Sequence, residues 1–281
     1  DFPKNYQNQV EYSYGKPGDQ HNRVGRIWLQ KDASGGTEFF YGPMGEVVKT
    51  IRTIRINEAN QQTFVWEASY DSWDRVQTMI YPDGEVLDYG YNRAGQVNRL
   101  TGIKNGHSYT YLAQMGYDAF EQRVFCKLGN GTITTYAYDP ERRRLSDLHV
   151  TLPDGRKIMD NQYDYDAVNN VLGITNATAP AAVTQLGGPA SHAFQYDQLY
   201  RLTNATGTWK GAGQNHGYDL AMTYDNRHNL IEKKQTHLLN GQTVAATSYD
   251  FRYTYKNGHP HAPDSIGLRA YTYDASGNTT G

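Results

Sequence analysis

The stretch SYDSWDRVQTMIYPDGEVLDYGYN, residues 69–92, decides the fold. On its first arm Val76, Thr78 and Ile80 alternate with Gln77 and Met79; on its second Val86, Asp88 and Gly90 alternate with Leu87 and Tyr89. Period two on both arms means two strands, each with two distinct faces. Between them Pro82-Asp83-Gly84 supplies a turn whose glycine can hold the positive φ that twisted antiparallel strands require. One unit of this chain is therefore a β-hairpin, opened by Tyr70-Asp71 and followed by Tyr91-Asn92.

The opening dipeptide recurs at Tyr117-Asp118, Tyr138-Asp139, Tyr165-Asp166, Tyr196-Asp197, Tyr224-Asp225 and Tyr273-Asp274, each time with an apolar residue or threonine five or six positions on. From Asp118 to Asp225 the spacings are 21, 27, 31 and 28 residues. A period of that size marks one supersecondary unit stacked many times. Further hairpin turns are read at Gly84, Gly106, Gly131, Gly155, Gly241 and Gly258, each preceded by Asp or Asn. A second turn is expected after each Tyr-Asp, because Asp74, Gly95, Asn169, His228 and Gly277 tolerate a left-handed backbone. Tyr200 departs from that residue type. The expected fold is all-β, built of repeated antiparallel hairpins in one array over 1–281. Repeats are degenerate over 1–66, where Tyr41-Gly42 has lost the acid, regular over 67–175, and interrupted by insertions over 176–281. The stretches 176–192 and Gly207 to Gly217, rich in small residues, read as interruptions.

With 27 basic against 29 acidic residues the chain presents no net field to recruit nucleic acid or an anionic membrane. No run approaches the roughly 20 apolar residues of a membrane-spanning helix. The single cysteine, Cys126, lies in an alternating run and reads as a small apolar strand residue. His259, His261 and Asp264 could mimic a metal cluster but lack further ligands at a recognised spacing, so neither metal nor cofactor is expected. The repeated aspartates occupy equivalent surroundings, whereas acid–base catalysis needs carboxylates in contrasting ones. Their expected task is to accept backbone N–H groups two residues on and hold turns. The tyrosines read as ladders between neighbouring hairpins rather than a sugar-stacking platform. Arg142, Arg143 and Arg144 read as a solvated face rather than a nucleic-acid patch. The glycosylation-type patterns at Asn130, Asn176, Asn204 and Asn278 read as incidental. No place is expected where the repeat gives way to a chemically distinct cluster, so no catalytic residue is assigned.

The stretches SYDSWDRVQTMIYPDGE at 69–85, YDAFEQRVFCKLGNGT at 117–132, YAYDPERRRL at 136–145, YDYDAVNNVL at 163–172 and YTYDASGN at 271–278 resemble the YD repeats of the Rhs family, found in bacterial Rhs toxins, in Tc toxin B and C components and, distantly, in teneurins. The resemblance implies a spiralling sheet forming part of a hollow shell that encloses a toxin polypeptide of the same parent chain. It further implies a secreted or injected location, and as partners the rest of the parent, its enclosed C-terminal toxin and a secretion or translocation apparatus. The chain stops in mid-repeat at Gly281, so the self-cleaving segment and toxin tail of such proteins are expected in a longer parent. An adhesive or carbohydrate-binding surface, with Trp209 as its clearest aromatic, is the alternative, and an enzyme the weakest reading.

Overall fold

The computed structural model describes residues 9–281 apart from 58, 181–187, 212 and 257. The chain divides into two compact units, Asp1–Gly131 and Thr132–Gly281. In the first, the strands are β1 (Glu11–Tyr14), β2 (Ile27–Asp32), β3 (Gly35–Tyr41), β4 (Val47–Arg55), β5 (Gln61–Tyr70), β6 (Val76–Ile80), β7 (Val86–Tyr91), β8 (Val97–Lys104), β9 (His107–Tyr117) and β10 (Arg123–Leu128). Each pairs antiparallel with the next.

The second unit repeats the pattern with β11 (Ile133–Tyr138), β12 (Leu145–Thr151), β13 (Lys157–Tyr165), β14 (Val171–Asn176), β15 (Ala190–Tyr196), β16 (Leu202–Gly211), β17 (Gln214–Tyr224) and β18 (Leu230–Leu239). There β18 pairs with both the short β19 (Gln242–Thr243) and β20 (Tyr249–Thr254), and β21 (Ser265–Ile266) and β22 (Arg269–Ala270) follow. The one helical piece among the described residues is a 3₁₀ turn at Ala245–Thr247. The fold is all-β and antiparallel.

Two kinds of turn alternate. At Pro82-Asp83-Gly84 the Tyr81 N–H donates to Glu85 O (2.8 Å) and the Gly84 N–H to Tyr81 O (2.9 Å), with Gly84 at φ +83°. Asn105-Gly106 and Asn240-Gly241 are two-residue turns with positive φ at both positions, closing Lys104 against His107 and Leu239 against Gln242. Gly131 and Gly155 also have positive φ. Gly258 does too, but it lies within the longer connection 255–264 between β20 and β21 rather than at a tight hairpin.

The sheet carries little core. Leu87, Cys126 and Ala205 are the buried apolar residues, and no described side chain is completely sealed from solvent. Cohesion must therefore come from cross-strand pairs and turn hydrogen bonds rather than from a sealed interior.

Two expectations are corrected. Gly207 to Gly217 is not an interruption: it forms the ends of β16 and β17, paired in register from Asn204–Ala221 to Gly211–Gln214. Gly207 makes room for its neighbours, since a Cβ there would lie 2.4 Å from the Tyr218 ring. Likewise only part of 176–192 is irregular; Asn176 ends β14, Ala190 starts β15, and 181–187 lie outside the described residues. Tyr200 conforms in backbone if not in residue type, at φ +60°, as do Glu121 and Arg143. The turn's hydrogen bonds override the intrinsic cost of a left-handed non-glycine residue.

No atom stands within 4 Å of a Cβ built on Gly84 or Gly155. Gly84→Val and Gly155→Val should therefore each lose about 1–3 kcal/mol through backbone strain alone, read as a lower denaturation midpoint. Unchanged midpoints in both variants would show that these turns do not depend on positive φ.

Candidate functional site

Each Tyr-Asp turn is organised by its carboxylate. Asp71 Oδ1 accepts the N–H groups of Trp73 (2.9 Å) and Arg75 (3.0 Å), while Oδ2 accepts Arg75 Nε (2.7 Å). Asp197 treats Leu199 and Arg201 in the same way, and Asp166, Asp225 and Asp274 replace the arginine with Asn170, Asn229 and Asn278. Asp118 accepts the N–H groups of Phe120 and Gln122. Asp139 spans a turn longer by one residue, accepting Arg142 N (2.6 Å) and Arg144 Nε (2.7 Å). Asn92 serves through its amide oxygen, and at Tyr41-Gly42 the Glu46 carboxylate accepts the Met44 N–H instead.

Hydrogen bonds to the ionised form favour it. The Arg144 side chain, then the Arg142 N–H, hold Asp139 down at about 2. Arg75, Arg201 and Asn278 lower Asp71, Asp197 and Asp274 in turn.

The tyrosines connect one repeat to the one before. The Tyr165 hydroxyl donates to Leu145 O (2.8 Å), Tyr196 to Val171 O (2.9 Å), Tyr224 to Leu202 O (2.9 Å), Tyr91 to Val76 O (2.6 Å), Tyr117 to Val97 O (2.7 Å) and Tyr70 to Val47 O (3.0 Å). The acceptor is the main-chain carbonyl of the residue five or six positions after the preceding turn's Asp, Asn or Gly, which is the strand-starting apolar residue that the sequence repeats there. Tyr41 hooks onto Ile27 O and Tyr273 onto Pro263 O. Sequence reading missed Tyr255, which is followed by lysine rather than aspartate yet donates to Leu230 O (2.9 Å). Its spacing from Tyr224 was the available signal.

Arginines brace the same junctions. The guanidinium of Arg75 lies 4.4 Å from the Tyr91 ring centroid, Arg144 4.8 Å from Tyr165 and Arg201 4.6 Å from Tyr224. Arg144 also donates to Asp166 O, and Arg142 to Ala167 O. Arg144 is thus half-buried rather than part of the solvated face expected of it, while Arg142 stays exposed as it reaches the next turn.

The remaining candidates resolve as follows. His261 Nδ1 meets Asn229 Oδ1 (2.9 Å), Asn229 Nδ2 donates to Pro260 O (2.8 Å), and His259 packs against Tyr273. Asp264 accepts the Lys256 N–H. The segment therefore fastens the Asp225 turn. Among the described residues no group of three or more His, Cys, Asp or Glu is placed to hold a metal. Cys126 is buried, which pushes its thiol up.

One chemically distinct cluster, not foreseen from the sequence, stands on the sheet while the strand pairing beneath it continues. Register places His192, Trp209, His216, Tyr218 and His237 on one face of β15–β18. Trp209 lies parallel to His216 and His237, with centroids 5.1 and 5.8 Å away. His216 Nδ1 and His237 Nε2 share a hydrogen bond of 3.2 Å, and His192 Nδ1 bonds the Tyr218 hydroxyl (3.0 Å). An open cavity of about 490 Å³ adjoins, lined by Asn176, Ala190, Trp209, Asn215 and His216 among others. These histidines are scattered in sequence, and only strand register assembles them.

No family model matches the chain. Toxin subunit YenC2 of Yersinia entomophaga is 34% identical over 160 residues, which are 53% of this chain and 16% of YenC2. The tRNA3(Ser)-specific nuclease WapA of Bacillus spizizenii is 27% identical over 222 residues, 75% of this chain and 8% of WapA. The solved structure of the Photorhabdus luminescens Tc holotoxin pore superposes with a TM-score of 0.80 at 20% identity, over 96% of this chain and 15% of that one. The chain thus spans a small part of the proteins it matches.

Tyr165→Phe and Tyr255→Phe each remove a donor to a neighbouring repeat. Each should cost about 0.5–1.5 kcal/mol in denaturant unfolding; equal loss at Tyr255 would establish it as a repeat tyrosine, and no loss at either would remove the hook from the fold's energetics. Acid behaviour follows from the depressed carboxyls. The unfolded chain takes up their protons first, so these aspartates stabilise the fold above about pH 4 and lose that contribution as pH falls, with Asp139 last, near 2. The denaturation midpoint should therefore decline steadily below about pH 4, and less steeply in Asp71→Asn/Asp197→Asn; a midpoint flat down to about pH 2 would contradict this.

Proposed function

We propose that the chain, which resembles the Rhs/YD repeats of Tc toxin subunits, is a non-catalytic wall segment which encloses and helps deliver a toxin polypeptide of its own parent. The observation that carries this is the tyrosine hook. It makes each hairpin depend on the one before, so the sequence extends as a sheet with two half-exposed faces instead of closing around a core. Such a sheet suits a wall better than a discrete binding module, whose residues would be concentrated in a few places.

On this reading 1–281 forms one array of a longer protein, secreted or injected, whose partners are the rest of the parent, its enclosed toxin and a translocation apparatus. The repeated Tyr, Asp and turn-glycine residues are structural. The nuclease activity in WapA's name belongs to a protein of which this chain matches 8%, and the wall reading assigns no such chemistry to the shared repeats. A carbohydrate-binding surface is the second reading, favoured by the open cavity beside Trp209 and His216.

The test is protease protection in the parent protein. A polypeptide downstream of Gly281 should resist added protease while the repeats are folded, and lose that resistance when turns at Gly84, Gly131 and Gly155 are disrupted together. Equal digestion in intact and disrupted parents would overturn encapsulation and favour the carbohydrate-binding surface.

A further inference from the structure

The turns at the two ends of β6 share one backbone and differ at its tip. In the turn 71–75 the Asp71 N–H donates to Arg75 O (2.9 Å) and the Asp74 N–H to Asp71 O (3.1 Å); in the turn 81–85 the Tyr81 N–H donates to Glu85 O and the Gly84 N–H to Tyr81 O. The third residue is the tip of both. At the Pro-Asp-Gly edge the tip is Asp83 in the first unit and Asp154 in the second, each turning its carboxylate back on the N–H two residues on. At the Tyr-Asp edge it is Met44 then Trp73 on successive turns of the first unit, and Val168 then Leu199 on successive turns of the second. These four side chains are 58, 70, 50 and 57% exposed. Phe120 takes the same place after Asp118.

The turn itself does not need them. The carboxylate grips the main-chain N–H of the tip, at 2.9 Å for Met44, Trp73 and Val168 and 2.8 Å for Leu199. Ala94, Arg227 and Ser276 offer the same N–H with a small or polar side chain. Even with the Arg75 guanidinium 4.6 Å from its ring, Trp73 stays largely in solvent. Singly scattered apolar residues are ordinary on a surface. Recurrence at one position of successive turns, against an acid at the matching position of the other edge, is not scatter. The gripped N–H also fixes each tip, so a partner meets it without the cost of ordering a loop.

Spacing and area define that partner. Successive Tyr-Asp turns lie two strands apart, which sets neighbouring tips about 10 Å from each other. A surface that receives them needs apolar sites at the same interval, and a stack of hairpins has that interval by construction. Two such tips bury on the order of 400 Å², well below the roughly 1,200 Å² that holds separate chains together. So small a contact is effective between parts of one polypeptide, where a high effective concentration replaces area.

We propose that the Tyr-Asp edge is an apolar seam, whose tips dock against another stretch of hairpins of the same parent chain. The seam rests on the wall reading, in which these residues are part of a longer array. Its task there is to close the gap between two lengths of wall.

Hydroxyl-radical footprinting, read residue by residue by mass spectrometry, tests it on the isolated chain, on the parent, and on the parent lacking the polypeptide downstream of the wall. Oxidation of Met44, Trp73 and Leu199 should be fast in the isolated chain at every concentration, and at least about fivefold slower in both forms of the parent. Equal oxidation in chain and parent would overturn the seam. Protection that grows with the concentration of the isolated chain would assign the edge to a second copy, and protection lost with the downstream polypeptide would assign it to the enclosed toxin; either result overturns the proposal. Met44→Ser should leave the denaturation midpoint of the isolated chain unchanged and speed oxidation of Trp73 in the parent. A lowered midpoint in the isolated chain would make the tip part of the turn's own stability and count against the seam. Footprinting reads the tips and protease protection reads the tail, so a wall without this seam and a failed wall give different results.

Discussion

The hydrogen bond from a tyrosine hydroxyl to a main-chain carbonyl of the preceding repeat is the constraint on which the rest of this structure depends. A lone hairpin is marginal in water because it cannot bury its own apolar face. Here few residues are buried at all. Each hairpin must therefore be held by its neighbours, through the strand ladder and through a side chain that reaches across it. Tyrosine suits the task because a rigid ring packs on the sheet while its hydroxyl finds the polar partner that a half-buried phenol needs. The guanidinium groups of Arg75, Arg144 and Arg201 lie over the rings of Tyr91, Tyr165 and Tyr224.

The acid of the repeat is more replaceable than the tyrosine. Asn92 and Glu46 hold their turns with other oxygens, and Tyr255 hooks its neighbour with lysine following it. The turn needs only an acceptor within reach of two N–H groups, and several side chains supply one. The hook needs a donor at the far end of a long, stiff arm, and the phenol places its hydroxyl there on an apolar ring. This division also explains why Glu121, Arg143 and Tyr200 can hold a left-handed backbone: the surrounding hydrogen bonds determine the conformation and the residue accepts it.

Against that uniform background, the cluster of His192, Trp209, His216, Tyr218 and His237 is a local specialisation. Gly207 makes it possible, because any side chain there would collide with the Tyr218 and His192 rings. The cluster thus occupies a sheet position that remains fully paired, so new side-chain chemistry has been added without interrupting the ladder.

Much of the fold was legible in the sequence because it is encoded locally. Alternation over 76–80 and 86–90, the Pro-Asp-Gly and Asn-Gly turns, and the recurrence of Tyr-Asp each act within a few residues, and backbone sterics translate them directly into strands and turns. What the tyrosines and arginines touch was not legible, because the partner of Tyr165 at Leu145 and that of Arg144 at Asp166 lie some 20 residues away. The stretch from Gly207 to Gly217 misled for the same reason: glycine weakens a strand in isolation, while here it admits rings from the adjacent strands. Nothing within one strand says which side chains of other strands will stand beside it. Sequence alone determined the hairpin, its period and its turns; register, a property of strands aligned in space, decided which tyrosine hooks which carbonyl and that the three histidines share a face with Trp209.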